Sequence, residues 1–157
     1  ISKLLLSNSA GFGFVAAAQD MLSKFKAGKS FASINAGEAL CEPSVVASPS
    51  GSMPLPQASH VACLSSAGRL LTFEVEQLRE MPNGGRGLTL MALDDRDKLV
   101  GACAYVRSVG IEGIGRGGRE REETLEIRSL SNARGQRARK GRVADLGFKP
   151  QRIRRVE

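Results

Sequence analysis

The chain has 157 residues, of which 41% are hydrophobic and only 4% aromatic, so it can form the core of one domain or of two small ones. The formal net charge of +7 comes entirely from residues 106–157, which hold 14 basic and seven acidic residues, against nine of each in residues 1–105. No apolar run approaches the length of a membrane span, so we expect no membrane partner and favour a polyanionic one.

The first 46 residues predict short strands joined by turns. Leu4–Leu6 and Phe12–Ala18 are apolar runs separated by the polar turn Ser7–Gly11, a pattern typical of a hairpin. Gln19–Phe25 predicts a helical turn, and Phe31–Ile34 predicts a further strand. Together these elements describe one small unit that cannot bury its apolar residues without a neighbour.

The same pattern recurs further along the chain. Ala10-Gly11 is repeated as Ala67-Gly68 at an offset of 57, and Gly28-Lys29 falls on Gly85-Arg86 at the same offset. A Pro- and Ser-rich stretch, residues 47–59, separates the two copies, and we interpret it as a mobile loop. The predicted strands of the second copy are His60–Leu64, Arg69–Val75 and Leu88–Leu93, with a helical turn at Glu76–Glu80.

A third, fainter copy completes the chain. Its predicted strands are Leu99–Val106, Val109–Ile114, Thr124–Ile127 and Arg142–Leu146. Because the runs are short and bounded by Gly, Ser, Asn or Pro, we predict an all-β fold: a propeller-like array of about three four-stranded blades, open or partial rather than closed. One domain then covers residues 1–157, with units at 1–46, 60–105 and 106–157.

Several features look like parts of enzyme motifs, but each is incomplete. Gly11–Ala16 fits G-x-G-x-x-A, yet the second copy lacks the second glycine and no strand–helix alternation follows, so we interpret it as a hairpin turn. Gly28–Ser30 lacks the earlier glycine of a P-loop, because Ser23 stands at its position. His60 has no nucleophile motif around it, and the acidic turn at 94–97 is more typical of a solvated loop than of a metal site. We therefore predict no catalytic residue, metal or cofactor.

Turns that combine glycine with Lys or Arg recur through the chain. They are KAGK at Lys26–Lys29, GGRG at Gly84–Gly87, GRGGR at Gly115–Arg119 and RARKG at Arg137–Gly141. Glycine allows close backbone approach to another surface, and the flanking cations can meet phosphate. Since aromatic residues are scarce and not interleaved with the cations, contact with a duplex backbone is favoured over stacking on single-stranded bases.

We expect these turns to align along one outer edge, where their cations contact DNA. The predicted contact residues are Lys26, Lys29, Arg69, Arg86, Arg116, Arg119, Arg137, Arg139, Lys140 and Arg142. If six to eight phosphates are neutralised, binding should weaken on the order of a thousandfold between about 50 and about 200 mM salt.

Three stretches of the chain carry a family resemblance. They are SKLLLSNSAGFGFVAAAQDMLSKFKAGKSFASI (Ser2–Ile34), HVACLSSAGRLLTFEVEQLREMPNGGRG (His60–Gly87) and SLSNARGQRARKGRVADLGFKPQRIRRVE (Ser129–Glu157). They resemble the C-terminal domain of the A subunit of bacterial DNA topoisomerase IV, to which gyrase A subunits are closely related. The resemblance implies a β-pinwheel, in which blades exchange strands, and a domain that binds and bends duplex DNA along a basic rim. The basic-glycine box of gyrase is present only in degenerate form, as NGGRG at Asn83–Gly87, which favours topoisomerase IV.

The resemblance also implies the setting of this chain. It implies a non-catalytic part of an ATP-dependent type II topoisomerase, positioning a duplex segment for strand passage in decatenation, supercoil relaxation and chromosome segregation. The expected partners are duplex DNA, the B subunit of a heterotetramer and the remainder of the A subunit, in the bacterial cytoplasm at the nucleoid, with ATP and Mg²⁺ used elsewhere in the enzyme. The chain starts at Ile1, so we expect a fragment of a longer protein. Two alternatives stay open: a gyrase A C-terminal domain, and a propeller-like protein-interaction module.

Overall fold

The computed structural model describes residues 2–28, 30–48 and 55–156, and its eleven strands lie in three antiparallel sheets. The strands are β1 (Lys3–Ser7), β2 (Phe12–Ala17), β3 (Ser44–Ala47), β4 (His60–Ser65), β5 (Arg69–Glu74), β6 (Leu88–Thr89), β7 (Leu99–Tyr105), β8 (Ser108–Ile114), β9 (Glu120–Glu126), β10 (Arg142–Val143) and β11 (Lys149–Val156). The helices are α1 (Ala18–Lys26) and α2 (Ile127–Ser131), and single 3₁₀ turns cover Val75–Gln77 and Arg116–Gly118. No helix in the described part of the chain is long and apolar enough to span a bilayer.

The first two sheets share one plan, in which a hairpin lies between two further strands, and the third has a hairpin with one further strand. The strand orders are β3-β1-β2-β6, β7-β4-β5-β10 and β11-β8-β9. β7 packs against both β3 and β11, so these three edge strands converge on a common hub. The opposite edges, formed by β6, β10 and β9, are the outer rim of the array.

Neighbouring parts of the chain exchange strands at the rim. β6 follows the second hairpin in sequence but pairs with β2 of the first, with Leu88 opposite Gly13. In the same way β10 follows the third hairpin but pairs with β5, with Arg142 opposite Leu70. The all-β, propeller-like fold with exchanged strands is therefore confirmed. The third sheet differs from the expected four-stranded blade, because only three of its strands lie within the described residues.

Hairpin turns show the sequence repeat in the backbone. Gly11 and Gly68 have φ angles of +90° and +84°, a conformation that glycine adopts without a steric cost. Gly13 continues β2 as an extended residue, and a Cβ there would lie 2.6 Å from the carbonyl O of Leu6. The Gly11–Ala16 segment is thus a hairpin turn and strand, and α1 begins only after β2, at Ala18, rather than at the glycines as a dinucleotide site requires.

Aliphatic cores between the sheets hold the array together. Leu5, Val61, Leu71, Phe73 and Leu90 pack between the first and second sheets. A second cluster, between the second and third sheets, includes Leu64, Leu70, Val109, Ile111 and Leu130. Each fully buried side chain of this size contributes about 1.5–3 kcal/mol relative to exposure.

Three predicted strands are shorter than expected, one of them Arg142–Leu146, of which only the first two residues pair, as β10. In Phe31–Ile34 only Ala32 forms a bridge, with Gly85, and of Leu88–Leu93 only the first two residues pair as β6. The predicted loop at 47–59 is anchored at its ends, because Ser48 pairs with Leu55 and the Ala58 N–H donates to Val46 O at 2.8 Å. Residues 49–54 lie outside the described part.

Candidate nucleic-acid interface

The turns Gly84–Gly87 and Arg137–Gly141 lead into the rim strands β6 and β10 in the same way. Gly87 has a φ of +88°, and a Cβ there would lie 2.2 Å from the carbonyl O of Gly13. Gly141 has a φ of +74°, and its Cβ would lie 2.3 Å from the carbonyl O of Leu70. These glycines therefore permit close contact with the neighbouring strand of the protein, and that contact explains their presence without a ligand.

The cation before each of these glycines is paired with a carboxylate. Arg86 makes a bidentate pair with Glu38 at 2.5 and 2.8 Å, and its guanidinium lies 4.2 Å from the centre of the Phe12 ring. Hydrogen bonds from Arg86 lower the pKa of Glu38 to about 2. Lys140 pairs with Asp94 at 2.6 Å, with both side chains about half exposed. Both cations were predicted to contact DNA, and both have an acidic partner within the chain.

Two further predicted contacts are half-buried and bind the backbone. The Arg137 Nη1 donates to Thr89 O at 2.6 Å, and its own N–H donates to Gln77 Oε1 at 2.8 Å. The Arg69 Nη1 donates to Gly141 O at 3.4 Å. Arg69 and Arg137 thus fix the turn Arg137–Gly141 to its surroundings, a role that their spacing in the sequence did not indicate.

The remaining predicted cations are exposed, apart from Lys29, which lies outside the described residues. Lys26 is at the end of α1, Arg116 and Arg119 are at the tip of the β8–β9 hairpin, and Arg139 and Arg142 are on the second basic turn and β10. Within the described chain none of these five pairs with a carboxylate.

The structure adds one residue that the sequence-based prediction missed. Arg134 is exposed, and its backbone forms a parallel β-bridge with Thr72 at one edge of β5. Arg142 pairs with Leu70 at the same edge. Two residues along a strand span roughly 7 Å, so Arg134 and Arg142 flank a short stretch of one edge, with Arg139 on the turn between them. We call Arg134, Arg139 and Arg142 the rim patch. The acid-free run from Arg128 to Arg142 was the signal that could have located Arg134.

The rim of the first sheet is electrostatically different. The backbone of Glu80 forms a parallel β-bridge with Val15, as the backbone of Arg134 does with Thr72. The Glu80 carboxylate forms an ion pair with Lys3 at 2.9 Å. Together with the Arg86–Glu38 pair, this neutralises two cations of the first rim, whereas Arg79, whose carbonyl O accepts from the Val15 N–H, is exposed and outside the ion pairs of the described residues. The rim patch on the second sheet groups three such arginines.

The third sheet places carboxylates around its cations. Arg116 and Arg119 at the hairpin tip are followed directly by β9, with the sequence EREETLE. On the outward face of this sheet, Arg152 pairs with Glu42 at 2.7 and 2.8 Å, and Arg154 pairs with Glu112 at 2.7 Å. Much of the basic charge near the C-terminus is thus neutralised within the chain.

Other residues that could carry chemistry have structural roles. Tyr105 is buried, and its hydroxyl is hydrogen-bonded to the hydroxyl of Thr72. His60 Nδ1 lies 2.8 Å from Ser59 Oγ, and Asp97 accepts hydrogen bonds from Ser66 Oγ and the Lys98 N–H at 2.6 and 2.8 Å. No group of three or more metal-ligating side chains is found in residues 2–28, 30–48 and 55–156.

Sequence comparison identifies the family. A profile of the family described as "DNA gyrase C-terminal domain, beta-propeller" matches residues 59–102. The chain is 31% identical over 136 residues to the DNA topoisomerase 4 A subunit of Neisseria gonorrhoeae, a match that covers 86% of this chain and 17% of that protein. The chain belongs to the gyrase A C-terminal domain family. A second topoisomerase 4 A subunit, from Haemophilus influenzae, is 25% identical over 150 residues, covering 93% of the chain and 19% of that protein.

Solved structures of the gyrase A C-terminal domain family share the fold. The Escherichia coli ParC C-terminal domain matches with a TM-score of 0.75 at 23% identity, covering 97% of this chain and 59% of that one. A DNA gyrase A C-terminal domain matches with a TM-score of 0.68 at 18% identity, covering 95% and 47%. The chain spans 17 to 19% of the length of the topoisomerase 4 A subunits that it matches.

Proposed function

We propose that this chain binds duplex DNA through the rim patch. The observation that carries the proposal is a set of three exposed arginines along one rim edge with no carboxylate partner among the described residues. Arginines held on a paired backbone can contact phosphate oxygens in a fixed arrangement, without reading base sequence. Lys26, Arg116 and Arg119 are exposed and extend the proposed contact surface.

We further propose that the chain serves as the non-catalytic C-terminal part of the A subunit of topoisomerase IV. In that role it bends and positions a duplex segment for ATP-dependent strand passage, in decatenation and supercoil relaxation during chromosome segregation. The expected partners are the B subunit, together with the rest of the A subunit; ATP and Mg²⁺ act outside this chain, and the bacterial cytoplasm at the nucleoid is the expected location. Family membership supports this, and the matched curated relatives are topoisomerase 4 subunits. A gyrase A domain is the less favoured alternative.

Duplex affinity at several salt concentrations tests the proposal. We expect binding of a random-sequence 40-bp duplex, measured by fluorescence anisotropy, to weaken with a log–log slope of about −0.9 for each phosphate neutralised. Three contacts give about a fortyfold loss between about 50 and about 200 mM salt, whereas six contacts give on the order of a thousandfold. The slope therefore reports whether the rim patch acts alone or with Lys26, Arg116 and Arg119.

A propeller-like protein-interaction module makes the opposite prediction. Such a module would bind DNA weakly and with a slope shallower than about −1, because no specific set of phosphates would be neutralised. That outcome would refute DNA binding by the rim patch.

A further inference from the structure

Two segments of three residues each are hydrogen-bonded through their backbone to the basic turn that follows them in the chain. The Gly85 N–H donates to Phe31 O at 2.8 Å, and the Ser33 N–H donates back to Gly85 O at 2.8 Å. One repeat later, the Ala138 N–H donates to Leu90 O at 2.8 Å, and the Ala92 N–H donates to Arg139 O at 3.0 Å. We call Phe31–Ser33 and Leu90–Ala92 the first and second straps.

Within the described residues the third sheet has an equivalent strap to which no basic turn is bonded. Ala144–Leu146 follows β10 directly, as Leu90–Ala92 follows β6. Within the described residues no basic turn pairs with this third strap, and no strand pairs with the rim edge of β9. In the other two sheets the corresponding edge strands, β2 and β5, are covered at this place by β6 and β10.

An open cavity of about 530 Å³ marks the vacant position. It lies between β9, α2 and the third strap, and its lining includes Glu123, Leu125, Asn132, Asp145 and Leu146, with Arg142 at one side. Leu146 is buried and Leu125 partly buried, so the floor of the cavity is apolar. This groove therefore has the free strand edge that the turns cover elsewhere, beside a strap whose Ala144 O and Leu146 N–H are hydrogen-bonded to each other at 3.0 Å and not to a turn.

The charge around the groove matches the kind of turn that fills the other two positions. Of the four glutamates on β9 only Glu123 lines the groove, together with Asp145 of the third strap and Arg142, whereas Glu122 pairs with Arg154. The turns bound at the first two positions carry Arg86 and Lys140, each directly before a glycine that approaches a strand carbonyl. A segment with a cation next to glycine would be attracted by the carboxylates and would fit against the β9 edge.

We infer that this groove docks an extended segment of another polypeptide in which Arg or Lys precedes glycine. The segment adds to the β9 edge by backbone hydrogen bonds, as an added strand does in β-augmentation. Its glycine is needed for the close approach seen at Gly87 and Gly141, and its cations face Glu123 and Asp145. The inference does not depend on DNA binding, because the groove and the rim patch use different side chains apart from Arg142.

A peptide taken from the chain itself is a suitable probe. We expect fluorescently labelled RARKGRVADL, the sequence of residues 137–146, to bind the whole 157-residue chain saturably in an anisotropy titration at low salt. The peptide with Gly141→Val should bind at least about tenfold more weakly, since a side chain there would meet a strand carbonyl. The peptide with Ala144→Val is the matched control and should bind normally, because the corresponding position of the second strap holds the larger Leu90.

Variants of the protein test the charge of the groove. Glu123→Lys should weaken peptide binding at least about tenfold, whereas Glu76→Lys, an equal charge change at an exposed site outside the groove, should change it less than about twofold. Absence of saturable binding overturns the inference. So does equal binding of the Gly141→Val peptide, which would indicate charge attraction without docking. The peptide comparison uses the unchanged protein and decides the question even if Glu123→Lys does not fold.

Discussion

Replacing both Arg139 and Arg142 with Ala removes two of the three cations of the rim patch while leaving the fold in place. Both side chains are exposed, and Arg142 pairs with Leu70 through its backbone, which Ala retains. Neither side chain forms an ion pair within the described residues. Any loss of DNA affinity in this variant therefore reflects lost phosphate contacts rather than lost stability.

The size of the loss follows from counterion release. Two phosphate contacts account for about 1.8 of the log–log slope of affinity against salt. If each contact contributes nothing near 1 M salt, the pair contributes about 200-fold at about 50 mM and about 20-fold at about 200 mM. The ratio of the affinities of the unchanged chain and the variant should thus shrink about tenfold over this range.

Fluorescence anisotropy on the random 40-bp duplex measures this ratio directly. Arg142→Ala alone is measured as well, with Arg107→Ala as its matched control, because Arg107 is exposed on the turn between β7 and β8, away from β10. A ratio that does not change with salt would refute the electrostatic reasoning. An equal effect of Arg107→Ala would instead show that net charge matters and the rim patch does not.

Three further predictions concern stability and reactivity. Gly141→Ala should lower the free energy of unfolding by about 3 kcal/mol in a urea titration, because positive φ and a carbonyl clash add, whereas Gly117→Ala, with positive φ but open space, should cost about 1 kcal/mol. Hydrogen bonds from Arg86 lower the pKa of Glu38 to about 2, from 4.5. The ionised carboxylate therefore stabilises the fold fully above about pH 4.5, and this contribution is lost as the pH falls towards 2. Glu38→Gln should lose less stability than the unchanged chain between about pH 5 and about pH 2.5. Burial raises the pKa of the Cys63 thiol, so a thiol reagent followed by peptide mass mapping should label the less buried Cys41 first and Cys63 only after unfolding.

Strands with apolar runs could be predicted from the sequence, and the mostly polar strand β11 could not. Both strands of the first two hairpins were located to within one or two residues, because their buried residues are consecutive or alternate. β11 was missed, since KPQRIRRV has only Pro150 and Ile153 buried and looks like a basic tail. Its pairing with β8 is accompanied by ion pairs from Arg152 and Arg154 to acidic residues elsewhere in the chain.

The basic turns were recognised, but the fate of each cation was not. Arg86 meets Glu38 and Lys140 meets Asp94 across separations of 48 and 46 residues, which only the strand exchange brings together. Arg137 is directed to Thr89 O by the same exchange. A count of cations along the sequence therefore overestimates the charge available to DNA, since it cannot tell an exposed arginine from one that ties two sheets together.

The segment that carries the rim patch also joins the first two sheets. Ala138 and Arg139 hydrogen-bond the second strap through their backbones, while Arg137 reaches Thr89 and Arg142 pairs with β5. The positions of Arg139 and Arg142 are thus set by backbone bonds made whether or not DNA is present. A contact surface fixed in this way loses little backbone entropy on binding, so a larger share of each phosphate contact should appear as affinity. The strand exchange that stabilises the fold is therefore also what pre-organises the surface proposed to bind DNA.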